Sequence, residues 1–289
     1  MKTIEYLSSP ELARLFIPGV CTGFAMAVMC ACLSVLVVLK KFSFIGQGIS
    51  HAAFGGMGIA AVLGIGAGAA GASGALGQFS VVVAFCLAAA LVIATLSGRG
   101  STSADTAIGI VLVASMCLGG ILLHVAARGR GVPGAGWESI LFGSIVGISP
   151  AEAWIAGLVA AGVVVTAWWF RRPLLFWAFD ESAAPAFGVR SWAMRNLLLV
   201  LLCLAIVTAM KVSGVVLATA MLVLPAAAAL CVSDRLWRVF WIAQGIGLGG
   251  VAGGIVVSME LDWPPGPSVV AVLTAAFALC RGAEALSRR

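Results

Sequence analysis

Residues 42–98 read FSFIGQGISHAAFGGMGIAAVLGIGAGAAGASGALGQFSVVVAFCLAAALVIATLSG and contain no Asp, Glu, Lys or Arg. A helix needs about 20 residues to cross the hydrocarbon core of a bilayer, so this stretch is too long for one crossing. Its glycine-rich middle, residues 64–78, divides it in two. The stretch therefore predicts two consecutive membrane-spanning helices.

Further apolar stretches without charged residues flank this one along the chain. They run over 15–39, 106–127, 153–170, 196–210, 212–233, 239–259 and 263–280. Only 10% of the residues are charged, whereas soluble domains carry about 25%. The sequence thus predicts an all-α fold, a polytopic transmembrane bundle of about eight or nine spans. It would form a single domain over residues 1–289 in the cell (inner or plasma) membrane.

The positive charges lie in short segments between the apolar stretches and predict an orientation. If Arg171 and Arg172 face the cytoplasm, twelve of the 17 Lys and Arg residues fall inside when the spans alternate. The five that fall outside are Lys2, Arg14, Arg128, Arg130 and Lys211. This bias predicts a cytoplasmic C-terminus and, with nine passes, an external N-terminus.

His51 is the leading candidate for a chemical role, because an ionisable residue inside a span is expensive and often functional. Gln47 precedes it by four residues, so on a helix the two side chains share one face. Imidazole nitrogen suits zinc, iron and similar metals, and an amide oxygen is a weaker, harder ligand. Gly55, one turn further, would let a neighbouring element approach closely. The alternative is a structural histidine that is hydrogen-bonded to a backbone carbonyl in a packed bundle.

Three other patterns each have two interpretations. His124, the second of two histidines, lies near a predicted external span end, where it is either interfacial or helps to pass a cation into the pathway. Pro225 is predicted to break or kink its span, and such breaks are either packing features or line pathways. Glycines at four-residue spacing favour close helix packing, within the chain or between two copies. These are Gly245, Gly249 and Gly253, with Gly250 and Gly254.

The largest polar excursion is residues 171–195, on the predicted cytoplasmic side. Asp180, Glu181 and Ser182 supply an N-cap and first-turn acids, and Gly188 supplies a stop, for a helix of one or two turns. Such a helix is either a connector on the membrane surface or an element that docks on an ATPase.

Several function classes lack their signature. Residues 66–71 match GxGxxG, but no predicted strand precedes them and no acid follows at the required distance, so they predict no dinucleotide site. The chain has no GxxxxGK[ST] motif, so any ATP hydrolysis must occur on a partner, and no catalytic cluster predicts an enzyme. The net charge of +6 is explained by the charges that orient the spans, so we expect no nucleic-acid partner.

Four segments, in order, resemble the permease subunits of the zinc/manganese/iron (ABC-3 type) family of ABC transporters. Residues 42–58, FSFIGQGISHAAFGGMG, resemble the family signature around "gDalSHa…pG". Residues 104–121 and 179–232 resemble its "eDtaiGi" span and its coupling segment with the helix that follows. Residues 257–270, VSMELDWPPGPSVV, resemble its closing segment.

The resemblance implies specific roles for residues in this chain. The family's metal-contacting histidine matches His51, and the position of its aspartate is occupied by Gln47. Loss of that carboxylate weakens the attraction for a hard ion such as manganese and favours zinc modestly. Residues 179–190 match the coupling helix that contacts the ATPase. Within it the matching positions are Asp180, Glu181, Ser182, Ala186, Phe187, Gly188 and Val189.

The family also implies partners and a mechanism. Two copies of the permease, most simply a homodimer in the lipid bilayer, would form a pathway at their interface. Cytoplasmic ATP-binding subunits would drive alternating access, and an extracytoplasmic metal-binding protein would deliver the cargo. The cargo would be a divalent metal ion in transit, with no permanently bound cofactor. The alternatives are an ion-coupled secondary metal transporter, or an ABC permease for a different small cargo.

Overall fold

The structure is a computed structural model that describes residues 10–65, 72–98, 103–130, 148 and 150–287. Within these ranges the regular secondary structure is entirely helical, which confirms the predicted fold class. The GxGxxG match at 66–71 lies outside them. The helices are α1 (Pro10–Leu39), α2 (Ser43–Leu63), α3 (Ala72–Gly98), α4 (Ala104–Arg130), α5 (Pro150–Trp169), α6 (Arg171–Phe179), α7 (Ser191–Val232), α8 (Leu236–Leu261) and α9 (Pro265–Ser287).

The described residues contain eight helical segments that are long and apolar enough to cross a bilayer. They are Phe16–Leu39, Leu76–Leu96, Asp105–Arg128, Pro150–Trp169, Ser191–Met210, Gly214–Val232, Leu236–Leu261 and Pro265–Leu286. Helix α2 has 21 residues, enough for a crossing, but is not among these eight. Its composition explains this, since five glycines, two serines, Gln47 and His51 lower its mean hydropathy.

The core of the bundle is formed by α1 and α7. Helix α7 packs against α1, α2, α3, α5, α6, α8 and α9. In the segment Phe16–Leu39 of α1, 67% of the most apolar window is buried inside the protein, against 11% in α9. The outer helices therefore present apolar side chains outward, as helices that contact lipid do.

The 42 residues of α7 include a break at Gly214, where φ is 77° and ψ is 170°. Residues with a side chain rarely adopt a positive φ of this kind, so a glycine is required there. Pro225 was predicted to break or kink its span; the break is wrong, because the helix continues through Pro225 to Val232, and the kink stays a prediction. Pro225 is buried instead, and its ring lies beside Gly247 of α8.

The glycines of α8 separate into two sets. A Cβ atom on Gly250 would collide with Leu273 of α9, and one on Gly254 would collide with Val269. Those two glycines therefore serve packing within the chain. Gly245 and Gly249 have no neighbouring atom within 4 Å of a Cβ position and face outward.

Candidate functional site

Helix α2 carries Gln47 and His51, and a tight turn after α1 sets its start. The turn places Lys41 in the left-handed region, with φ of 56°. The Phe42 backbone N–H donates to the Val37 carbonyl at 2.9 Å, which closes the end of α1. At the other end, Gly64 adopts φ of 73°, and the Ile65 N–H bonds the Ala60 carbonyl at 3.0 Å. The turn after α1 thus sets where α2 begins, and the left-handed Gly64 caps its C-terminal end.

Glycines allow α2 to lie unusually close to α3 and α4. A Cβ atom on Gly56 would lie 2.8 Å from Val82 Cα in α3. A Cβ on Gly58 would lie 2.9 Å from Leu122 Cβ, and one on Gly119 would lie 2.6 Å from the Phe54 carbonyl carbon. Because these neighbours are mostly backbone or Cβ atoms, side-chain rotation cannot relieve such contacts. Close packing on two sides holds α2 in place.

The same contacts show that α2 and α4 run in the same direction. Gly48 approaches Ile108, Gly55 approaches the Ser115 carbonyl, and Gly58 approaches Leu122. The residue numbers rise together on both helices, so the two helices are parallel. Alternating crossings by α2, α3 and α4 would give this arrangement, which supports α2 as a full crossing despite its low hydropathy.

Gln47 and His51 lie on the face of α2 that its neighbours leave open. Gln47 is exposed, with no hydrogen bond to any residue that the structure describes, and His51 is half-buried. The Nδ1 atom of His51 is buried and has no hydrogen-bond partner in the described part of the chain. The imidazole stacks on the Phe54 ring, with centroids 6.3 Å apart and an interplanar angle of 19°. The carbonyl bond expected of a purely structural histidine is therefore absent among the described residues.

At Gly55, one turn beyond His51, a side chain of α3 covers the same face of α2. A Cβ there would lie 2.5 Å from Phe85 Cε1, so the Phe85 ring of α3 occupies the space that Gly55 leaves. The prediction that Gly55 permits a close approach is confirmed. Gln47 and His51 thus lie on one face of α2, here called the niche, and the next turn of that face, at Gly55, is covered by the Phe85 ring.

One chain supplies too few ligands for a complete metal site. No group of three or more His, Cys, Asp or Glu side chains that could hold a metal occurs in the described part of the chain. Structural and catalytic metal sites usually have at least three protein ligands. His51 and Gln47 would therefore need further ligands from outside the chain.

The structure does not bring His124 to this niche. His124 is exposed near the end of α4, level with the last residues of α2. It lies roughly ten residues further along the paired helices than His51, or about 15 Å at 1.5 Å per residue.

Where the sequence predicts a capped helix of one or two turns after α6, the structure has a turn held by Asp180 and then a 3₁₀ helix of four residues. Asp180 Oδ1 accepts hydrogen bonds from the Ser182 and Ala183 backbone N–H groups, both at 2.9 Å, and from Ser182 Oγ at 2.6 Å. A 3₁₀ turn follows over Ala184–Phe187, and Gly188 ends it with φ of 77°. These bonds, led by that of the Ser182 hydroxyl, hold the pKa of Asp180 below its ordinary value.

The outer surface of this segment is exposed and partly aromatic. Ala186 and Gly188 are exposed, and the Phe187 side chain is 73% exposed while it contacts the Phe176 ring edge-on. Val189 is partly buried, and its N–H donates back to the Ala184 carbonyl at 3.0 Å. Phe187 and Phe176 thus place aromatic rings at the surface of this segment.

Lys40 joins this segment to the turn before α2, and sequence reasoning missed it. Its Nζ lies 2.8 Å from Glu181 Oε2 and 3.9 Å above the centre of the buried Trp177 ring. Because 141 residues separate Lys40 from Glu181, no local pattern could have paired them. The contact ties the segment to the α1–α2 turn, seven residues before Gln47.

Residues 13–281 match the family model described as the ABC 3 transport family. The chain belongs to this family. Its members are transport permeases and not enzymes, so the resemblance in the sequence is confirmed, together with the bundle of an ABC importer permease.

Relatives in this ABC 3 family cover nearly the whole chain. The manganese transport system membrane protein MntC of Halalkalibacterium halodurans is 32% identical, over 88% of this chain and 82% of its own length. A probable iron transport system membrane protein of Haemophilus influenzae is 28% identical, over 94% of both chains. The structure is similar to that of PsaBC from Streptococcus pneumoniae in complex with Fab, with a TM-score of 0.80 and 28% identity, covering 96% of this chain and 93% of that one.

Proposed function

We propose that this ABC 3 permease carries a divalent transition-metal ion, and that Gln47 and His51 of two copies contact the ion where the copies meet. The observation that carries the proposal is the buried, unbonded Nδ1 atom of His51 beside the exposed Gln47. A buried polar atom without a partner costs about 1–3 kcal/mol, so binding of an ion or a water at this nitrogen would be favourable. The names of the relatives, which refer to manganese and iron transport, support this cargo class.

A second copy would complete the site. A two-fold axis beside the open face of α2 doubles each ligand, so two His51 and two Gln47 side chains would surround one ion. Four ligands of moderate strength suit an ion in transit, which must be bound and also released. The set contains no carboxylate, and imidazole dominates it, so we expect zinc to be favoured over manganese.

ATP hydrolysis would occur on cytoplasmic partner subunits that dock on residues 180–189. The exposed Phe187 and the capped turn supply the docking surface. Movement of that segment would pull the α1–α2 turn through the Lys40–Glu181 ion pair. Helix α2, which carries the proposed ligands, would move with that turn. An extracytoplasmic binding protein would deliver the ion on the opposite side.

A secondary transporter is the weaker candidate. Coupling to an ion gradient usually employs carboxylates at mid-membrane. Across the described helices, every Asp and Glu lies within about five residues of a helix end or in a connection.

The test is metal uptake by the permease reconstituted with its ATPase partner in liposomes. His51→Ala should abolish uptake, because it removes the stronger ligand, while insertion and assembly with the ATPase stay normal. Cys117→Ala, a substitution at an exposed position of α4, controls for nonspecific effects of mutation and reconstitution and should retain uptake. Normal zinc, manganese and iron uptake by the His51 variant would refute the proposed site.

A further inference from the structure

A groove of about 270 Å³ opens between α1, α5, α6 and α8, away from the niche on α2. Its wall is apolar and includes Val35, Leu36 and Phe240. Two cationic side chains, Arg171 and Arg172, also line it. At about 30 Å³ per water molecule, its volume equals that of about nine waters, enough for a segment of one acyl chain.

Arginines concentrate around this groove. Arg171 lies 4.1 Å from the centre of the Trp168 ring, which holds its guanidinium by a cation–π contact. Arg235 and Arg238 flank the groove residues Leu236 and Trp237 in sequence and are exposed. None of the four arginines pairs with a carboxylate within the ranges that the structure describes. Positive charge here is thus available to an anion.

The groove lies at one end of the bundle, at the level of a membrane interface. Its residues come from the last turns of α1 and α5 and the first turns of α8. Trp168, Trp237 and Phe240 form a cluster there, with the two tryptophan rings 6.0 Å apart. Aromatic clusters of this kind mark the headgroup level of a bilayer. The distribution of Lys and Arg predicts that this end faces the cytoplasm, where the leaflet is rich in anionic lipids.

We propose that this groove binds an anionic phospholipid, with the phosphate at Arg171 and Arg172 and one acyl chain along Val35, Leu36 and Phe240. A lipid matches both halves of the groove, since basic pockets between helices on the cytoplasmic side bind acidic headgroups. A second copy fits poorly, because a two-fold contact would bring the same arginines face to face. A cytoplasmic protein could reach the arginines but not the apolar wall inside the bilayer.

The test uses the permease–ATPase complex purified in detergent and titrated with phosphatidylglycerol or phosphatidylcholine, with bound lipid counted by native mass spectrometry. Phosphatidylglycerol should bind at least tenfold more tightly than phosphatidylcholine. Arg171→Gln and Arg172→Gln should each weaken phosphatidylglycerol binding about fivefold, the change expected for one basic residue at an anionic surface. Arg128→Gln, an exposed arginine at the other end of the bundle, removes the same charge and should leave binding unchanged.

A second variant tests the acyl chain. Ala167→Leu places a larger side chain in the groove and narrows it without a change of charge. It should weaken phosphatidylglycerol binding while the complex stays assembled. Equal binding of the two lipids, or equal losses in Arg128→Gln and Arg171→Gln, would overturn the proposal. Loss of the ATPase from the Arg171 variant with its lipid binding intact would also overturn it and assign the arginines to a protein contact.

Discussion

The close contact between α2 and α4 makes Gly119→Ala a sharp test of the structure. The new Cβ would lie 2.6 Å from both the carbonyl carbon and oxygen of Phe54, and 2.9 Å from the Gly55 nitrogen. Ordinary contacts begin at 3.4 Å, so the helices must separate locally by about 0.8 Å. All three neighbours are backbone atoms, so no rotamer change can absorb the methyl group.

The expected loss follows from two opposing effects. Overpacking costs about 1–3 kcal/mol, and alanine returns up to about 1 kcal/mol through its higher helix propensity. A net loss of about 1–2 kcal/mol should lower the melting temperature of the detergent-solubilised protein by about 2–8 °C. Metal uptake should fall as well, because the displaced α2 carries Gln47 and His51.

Gly109→Ala is the matched control on the same helix. No atom lies within 4 Å of its Cβ position, so the change should be neutral or slightly stabilising. Both variants would be heated in detergent, and the remaining monodisperse protein measured by size-exclusion chromatography. If Gly119→Ala melts at the same temperature as Gly109→Ala, the glycine-mediated packing of α2 on α4 is incorrect.

Three further predictions concern the ligands and the coupling segment. Gln47→Asp should raise manganese uptake relative to zinc in a competition assay, because a carboxylate attracts a hard ion more strongly; an unchanged ratio would remove the argument for zinc. Lys40→Met and Glu181→Gln should each lower metal uptake per ATP hydrolysed, because each breaks the same contact, worth about 0.5–1 kcal/mol. The double variant should be no worse than either single variant. Additive losses would show that the pair does not act as a unit. The two backbone amides that bond Asp180 should stay protected from hydrogen exchange below pH 3.8, the ordinary pKa, and lose protection only as the pH falls through the lowered pKa. Asp180→Ala should expose both amides at every pH, and protection already lost above pH 3.8 in the unchanged protein would contradict the cap.

Local features of the sequence were enough to predict the spans and the turn that Asp180 and Gly188 bound. The absence of charge over 42–98 predicts two helices, and α2 ends at Leu63 while α3 begins at Ala72, within the glycine-rich stretch 64–78. Asp180 and Gly188 act through backbone bonds to residues two to four positions away, so their pattern carries the information.

Features that depend on distant neighbours could not be predicted. Proline and glycine both interrupt helices, and only the packed bundle decides that Gly214 does so and that Pro225 does not. The spacing of the α8 glycines is equally compatible with internal packing and dimerisation, yet Leu273 and Val269 select Gly250 and Gly254. The unbonded Nδ1 of His51 likewise depends on what surrounds it in space.

The low hydropathy of α2 is itself evidence about its environment. Glycine, serine, Gln47 and His51 make α2 the poorest of the crossing helices at partitioning into lipid, so it needs protein or water around it. Helices α3, α4 and α7 cover most of its surface, and the uncovered part includes Gln47 and half of His51. An amide and an imidazole facing lipid would each lose their hydrogen bonds to water without replacement. The uncovered face therefore needs a polar surrounding, either a water-filled pathway or another polar surface, and in the proposed dimer a second copy of α2 would supply it.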